Sequence, residues 1–357
     1  MTGRRVVWAA TLGAAALFAA SAAPAAPPPG PGSAPAGLRT DVVFSDDAPL
    51  ASNAELARRM LSPMAGLQID ETLRRSGRRL PDQPLDVSQQ RFVLYVPPKP
   101  PPHGYGLLVF VPPWDEAEAP HAWLGALDRA GLIFVSAVRS GNDQSVIGRR
   151  VPLALIGAQN VMRRYAVDPA RVYVAGFSGG AHVALHLALG YPDLFQGALL
   201  MGGSDPIGAD GFTPPPAELF ARFQAMRLVY LTGADDPPRL VMDVASQRSM
   251  RNWCVFDTES IQAGGMAHQA APEAAFAQGL AALERRAPGD PGKSATCQAT
   301  ISRQLDGKLA DVATLVGAGR RDQARARLLA IDRQYGGLAA PRSLDLWGRL
   351  DSAPAAP

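Results

Sequence analysis

Basic residues never gather into a block interleaved with aromatics, and the formal net charge of the 357-residue chain is only +3. That pattern excludes a nucleic-acid-binding surface as the organising feature. Cysteine is scarce as well. Cys254 and Cys297 are the whole complement, and in an oxidising compartment such an even pair is expected to be bridged rather than left as two small buried hydrophobes. The apolar run at residues 6–20 falls short of the roughly 20 residues that span a bilayer.

That run is read as a targeting segment. Arg4 and Arg5 precede it, and Ala20-Ser21-Ala22 has the small-residue spacing of a cleavage site, so cleavage after Ala22 and export to the periplasm or medium are expected. An uncleaved anchor is the lesser reading. No cysteine follows the cut, which argues against lipid attachment, and the two arginines lack the flanks of a twin-arginine signal. Residues 23–37 are Pro, Ala, Gly and Ser without periodicity and are expected to be a disordered leader. Residues 38–85 then form an N-terminal extension, with a short strand at 41–44, a helix capped by Ser52 or Asn53, and an arginine-rich loop or helix end at 74–79.

Between residues 86 and 287 apolar strands alternate with amphipathic helices. Strands are expected at 91–96, 107–111, 132–135, 171–175, 197–201 and 228–232, with helices at 121–129, 152–165, 181–189, 217–226 and 273–284. The alternation predicts an α/β fold with a mostly parallel central sheet covered by helices on both faces. From residue 288 the pattern changes to a helical appendage, with helices at 301–316, 322–335 and 343–350 joined through Gly317-Ala318-Gly319, and a flexible tail. One helix pair does not make a solenoid. Packing, or a surface for a protein partner, is its expected role.

The chain is organised around Gly176-Phe177-Ser178-Gly179-Gly180, which lies between a strand and a helix. A serine on that turn is forced into a strained conformation with its hydroxyl off the sheet, while the flanking glycines let strand and helix pass closely. A bare Gly-rich turn is the bland alternative, and the partners decide against it. Chemistry in such sheets gathers at the carboxyl ends of the strands. The Ser178 hydroxyl needs a base, and the base needs an acid to fix its tautomer. His103 sits in a Pro-rich loop and His121 at a helix start. His182 and His186 are four apart on the helix after Ser178, a spacing able to grip a metal, yet no third ligand cluster accompanies them, and they read as partly buried helix residues. His268, in the loop GGMAHQAAP between the last strand region, expected around Cys254 to Ile261, and the helix from Glu273, fits the base. Thr232-Gly233-Ala234-Asp235-Asp236-Pro237 offers two acids; Asp236 is preferred and Asp235 is the close alternative.

The order Ser178, Asp236, His268, with GFSGG and LTGADD, resembles the α/β-hydrolase superfamily, and within it exported esterases similar to polyhydroxybutyrate depolymerases and feruloyl esterases. The resemblance covers about residues 86 to 285. It implies a Ser-Asp-His triad, an acyl-enzyme intermediate, an ester substrate that is a small molecule or derived from a polymer, and no metal or organic cofactor. Where such proteins carry a Gly-rich oxyanion segment, this chain reads Val111-Pro112-Pro113-Trp114. Proline has no N–H to give, so the oxyanion donors are expected to be the amides of Gly179 and Trp114. Asn142, in the loop after the third strand, is expected either to touch substrate or to form a turn. The Pro/Gly-rich segment 202–216 is expected to rim the pocket and is too short for a large lid. Two alternatives stand beside the esterase: an inactive binding protein of the same fold, favoured by the two prolines, and a serine peptidase, disfavoured because no specificity domain precedes the core.

Overall fold

The structure is a computed structural model that describes residues 36–285 and 289–352. The expected signal peptide, nearly all of the leader, the junction at 287–288 and the last tail residues lie outside the described residues.

Eight strands form one sheet: β1 (Gly37–Val42), β2 (Phe92–Val96), β3 (Tyr105–Val111), β4 (Leu132–Ala137), β5 (Val167–Phe177), β6 (Gly197–Met201), β7 (Arg227–Gly233) and β8 (Thr258–Ala263). Their order is β1-β2-β4-β3-β5-β6-β7-β8. The first two strands are antiparallel to their neighbours, and every pairing from β4 to β8 is parallel. The chain runs outward from β3 to β4, then returns to place β5 on the other side of β3. The carboxyl ends of β3 and β5 therefore flank the point where the order reverses, the place where an open α/β sheet leaves a crevice.

Strands at the centre are buried and mainly apolar over the stretches that both helix layers cover, such as residues 172–177 of β5 and all of β6. Val109 and Val111 of β3 face one layer, with α4 (Val151–Arg164) and α5 (Gly179–Gly190). Leu108 and Phe110 face the other, with α3 (His121–Ala130) and α8 (Glu273–Glu284). The side chains alternate faces with the strand period of two. α5 is buried along nearly its whole length, so it is apolar all round and lacks a polar stripe.

Helices α1 (Asn53–Met60) and α2 (Pro63–Ser76) cover the start of the chain, α6 (Ala217–Gln224) precedes β7, and α7 (Pro237–Asn252) follows it. The C-terminal helices are α9 (Pro291–Gly317), α10 (Arg321–Tyr335) and α11 (Arg342–Ser352). They enclose a small core of Leu305, Leu309, Val312, Leu328, Ile331 and Leu346. Their ties to the rest include covalent and hydrogen-bonded links. A disulfide links Cys254 to Cys297. The buried Asp332 carboxylate accepts from the Ser62 hydroxyl and, at 3.1 Å, from the Met64 amide. The Gly337 amide donates to the Pro214 carbonyl at 2.8 Å.

Two local expectations are corrected, and the expected helix end at the arginine cluster is found. The first strand lies at Gly37–Val42, not at 41–44, because it pairs antiparallel with β2. α9 begins ten residues before the expected 301: Asp290 caps it, accepting from the Lys293 amide at 3.1 Å, and Pro291 suits its first turn. The arginines at 74–75 close α2, which ends at Gly77 in the left-handed region (φ 63°).

Candidate active site

Ser178 has φ 53° and ψ −124°, a region that costs a residue with a Cβ about 1–3 kcal/mol. The surroundings hold it there. Its amide donates to the Met201 carbonyl at 2.8 Å, and its own carbonyl accepts from the Ala181 amide at 2.8 Å. The flanking glycines are required by space: a Cβ on Gly176 would lie 2.1 Å from the Gly180 carbonyl oxygen, and one on Gly180 would lie 1.9 Å from that of Val111. The bend therefore brings β5, α5 and the end of β3 into backbone contact.

His268 meets the serine. Its Nε2 is 2.9 Å from Ser178 Oγ, and its Nδ1 is 2.7 Å from Asp236 Oδ2. Asp236 is buried, whereas Asp235 is exposed and uses its amide, at 3.0 Å from the Met266 carbonyl. That bond stitches the acid's loop to the base's loop. Farther along, the Trp123 indole N–H donates to the Ala271 carbonyl at 2.8 Å while its ring stacks on Phe276 at 4.0 Å. The His268 loop is thus fixed on both sides. Phe177 packs 5.0 Å from the imidazole. Gly202, at φ 72°, makes room for both rings, since a Cβ there would lie 2.7 Å from Phe177 Cε2.

The expected oxyanion amides lie at the ends of β5 and β3. The Pro113 carbonyl accepts from the Asn142 amide at 3.0 Å, and the peptide that follows it is trans. The Trp114 N–H, on that same planar unit, therefore points to the opposite side. Asp115 organises the turn: its carboxylate accepts from the Gly141 amide at 2.9 Å and from Gln144 Nε2 at 3.1 Å. Asn142 Oδ1 lies where a Cβ on Gly179 would be, 2.1 Å from that ideal position. It packs on the amide-bearing glycine itself.

The remaining histidines are dispersed as expected, with one exception. His103 and His121 are exposed. His186 is buried, stacks on Phe212 at 3.5 Å, and is pushed down to about 3 by burial, so it is neutral. His182, for which the sequence offered no third ligand, bonds Asp205 through Nδ1 and lies near the Asp210 carboxylate as well, the three groups offering atoms within 4.8 Å of one another. Sequence reasoning had no signal for this grouping, because Asp205 arrives from the end of β6.

The segment expected as a pocket rim is only partly free. Residues 212–215 are buried, with Pro214 accepting from Gly337, which leaves 206–211 toward the surface. An apolar groove of about 590 Å³ lies away from the serine, between α1, α2 and Pro216, Gly337 and Leu344.

Residues 158–257 match the family model for esterases. No curated protein matches the chain. Similar solved structures include an S-formylglutathione hydrolase of Staphylococcus aureus, at 12% identity and a TM-score of 0.43, over 54% of this chain and 92% of that one. Another is the fluorophosphonate-binding serine hydrolase F of the same species, at 11% identity and 0.43, over 56% and 94%. A thermophilic esterase of Thermogutta terrifontis is similar at 16% identity and 0.41, over 56% and 87%.

The sheet order and the strained serine bend between β5 and α5 define the architecture as an α/β-hydrolase fold, and residues 158–257 within it match the esterase family model.

Proposed function

We propose that this is an exported serine esterase working through Ser178, His268 and Asp236 and a covalent acyl-enzyme. The observation that carries the reading is the unbroken hydrogen-bonded line from Ser178 Oγ through both ring nitrogens of His268 to Asp236. His268 Nε2 takes the hydroxyl proton as Oγ attacks the ester carbonyl carbon. Asp236 stays ionised and holds the proton on Nδ1, which fixes the tautomer and stabilises the imidazolium. The carbonyl π electrons move onto oxygen, where the Gly179 and Trp114 amides receive the charge. Collapse expels the alcohol oxygen with the proton from Nε2 and leaves the acyl group on Ser178. Water, deprotonated by the same nitrogen, then releases the acid and restores the serine.

Export is supported by Arg4, Arg5, the apolar run and Ala20-Ser21-Ala22, and by the Cys254–Cys297 disulfide, a bond that persists in oxidising compartments. The inactive-binder reading rests on Pro112 and Pro113; against it, the Trp114 N–H points away from the Asn142 amide that occupies the Pro113 carbonyl, which supports Trp114 as the second donor. Purified mature protein should hydrolyse short-chain p-nitrophenyl esters, and Ser178→Ala should abolish turnover. A wild-type protein without activity on any acyl chain of such a panel would refute the proposal.

A further inference from the structure

Two consecutive arginines clamp two consecutive carbonyls beside the site. Residues 146–150 form a wide π-type turn that runs directly into α4. From it, Arg149 Nε donates to the Arg139 carbonyl at 2.7 Å, and Arg150 Nε donates to the Ser140 carbonyl at 2.9 Å. Arg139 has φ 56°, so the loop leaving β4 is strained where the clamp begins. Arg150 also reaches across the crevice. Its Nη2 donates to the Pro112 carbonyl at 2.9 Å.

Arg150 is only 3% exposed, and among the described residues neither of its hydrogen bonds goes to a carboxylate. Burial pushes its guanidinium down to about 10, with Asp115 opposing that in part. A buried cation spent on two backbone carbonyls is a costly device unless the backbone it holds must be held. Those two carbonyls belong to the two loops that meet at the serine. One is the 111–115 turn, which carries the Trp114 amide; the other carries Asn142, which packs on Gly179.

We propose that Arg150 is a positioning residue for the oxyanion site: by bridging the Pro112 and Ser140 carbonyls it sets the distance between the Trp114 amide and the Gly179 amide. This rests on the acyl-enzyme reading of Ser178. Arg150 touches no reacting atom and acts only through the two loops. Its planar fork suits the task, because one rigid group directs donors to two carbonyls at once, whereas a lysine ammonium offers a point charge on a flexible stem.

The test compares wild type with Arg150→Met and Arg150→Lys for kcat and KM on a p-nitrophenyl ester. It adds the Kd for an arylboronic acid, whose tetrahedral serine adduct places an oxygen where the oxyanion forms, and thermal unfolding by circular dichroism. In folded Arg150→Met, kcat should fall about 10- to 100-fold through misplacement of the donors. KM should stay within about twofold of wild type, and boronic acid binding should weaken by the same factor as kcat/KM. Arg150→Lys should recover part of both losses. Folded Arg150→Met with unchanged kcat, or with kcat lost while boronic acid binding is unchanged, would overturn the inference. Should Arg150→Met not fold, Arg150→Lys is read alone: a parallel loss of kcat and boronic acid affinity supports the proposal, and wild-type values overturn it. An inactive wild type would retire the acyl-enzyme reading itself, while an active wild type with insensitive Arg150 variants retires only this inference.

Discussion

Asp236 Oδ2 lies 2.7 Å from His268 Nδ1, although 32 residues and a long helix, α7, separate the two in the chain. Asp236 sits at the N-cap position of that helix without capping it by its side chain and is buried, while Asp235 faces solvent. On this account the first aspartate ties the loops together by its backbone and the second orients the base by its carboxylate.

Substitution separates those roles. Asp236→Asn should lower kcat by about 10⁴, since an amide no longer fixes the imidazole tautomer. Asp235→Asn should leave kcat nearly intact. Steady-state kinetics on one ester decides it, and the reverse ranking would exchange the assignments.

Gly179 should tolerate no methyl while Asn142 is present. A Cβ there would meet Asn142 Oδ1 at 2.1 Å, so Gly179→Ala must displace either the asparagine or the Gly179 amide, the donor proposed for the oxyanion. A fall in kcat of up to about 100-fold is expected, in the range of a weakened oxyanion donor. Adding Asn142→Gly should restore part of it. A double variant as slow as the single one would show that the clash is not the cause.

The disulfide closes a loop 43 residues apart in sequence, which in the chain-entropy view stabilises by about 4 kcal/mol. Replacing both cysteines with serine should lower the denaturation midpoint markedly and leave kcat of the folded protein unchanged, because neither cysteine is near Ser178 in the hydrogen-bonded line. Denaturant titration measures the first effect and kinetics the second. Equal stability with and without the bond would contradict the expectation.

Asp243 gives the fold a pH dependence. It is buried, accepts from Thr232 Oγ1 at 2.6 Å, and is pushed up to about 6 from its ordinary 3.8, mainly by burial. The folded state therefore holds this proton more tightly than the unfolded chain does, and the corresponding stability is lost as pH rises from about 4 to about 6. A shift of roughly two pKa units corresponds to about 3 kcal/mol. Asp243→Asn should raise the melting temperature at pH 8 and lose that advantage near pH 4. A variant less stable than wild type at pH 8 would show that the ionised carboxylate is needed.

The serine bend was legible because a single backbone geometry demands glycine on both sides of it, and the loops that bring Asp236 and His268 to Ser178 could be placed because the strands before them carry apolar runs. α6 and α8 were equally plain. α7 was not, since it has no apolar stripe: Val241 and Val244 are exposed, and its contact with the sheet rests on residues such as Asp243 and Ser246. Arg150 was invisible for a different reason. Its partners are main-chain oxygens of residues 112 and 140, and a backbone acceptor leaves no trace in the sequence.

The central claim is that Ser178 is made nucleophilic by His268, and covalent labelling reads it directly. Wild type treated with a fluorophosphonate, digested and examined by mass spectrometry should carry the phosphonyl group on the Ser178 peptide. Labelling should be absent in Ser178→Ala and strongly slowed in His268→Ala. A wild type that stays unmodified, or that labels at the same rate without the imidazole, would contradict the account.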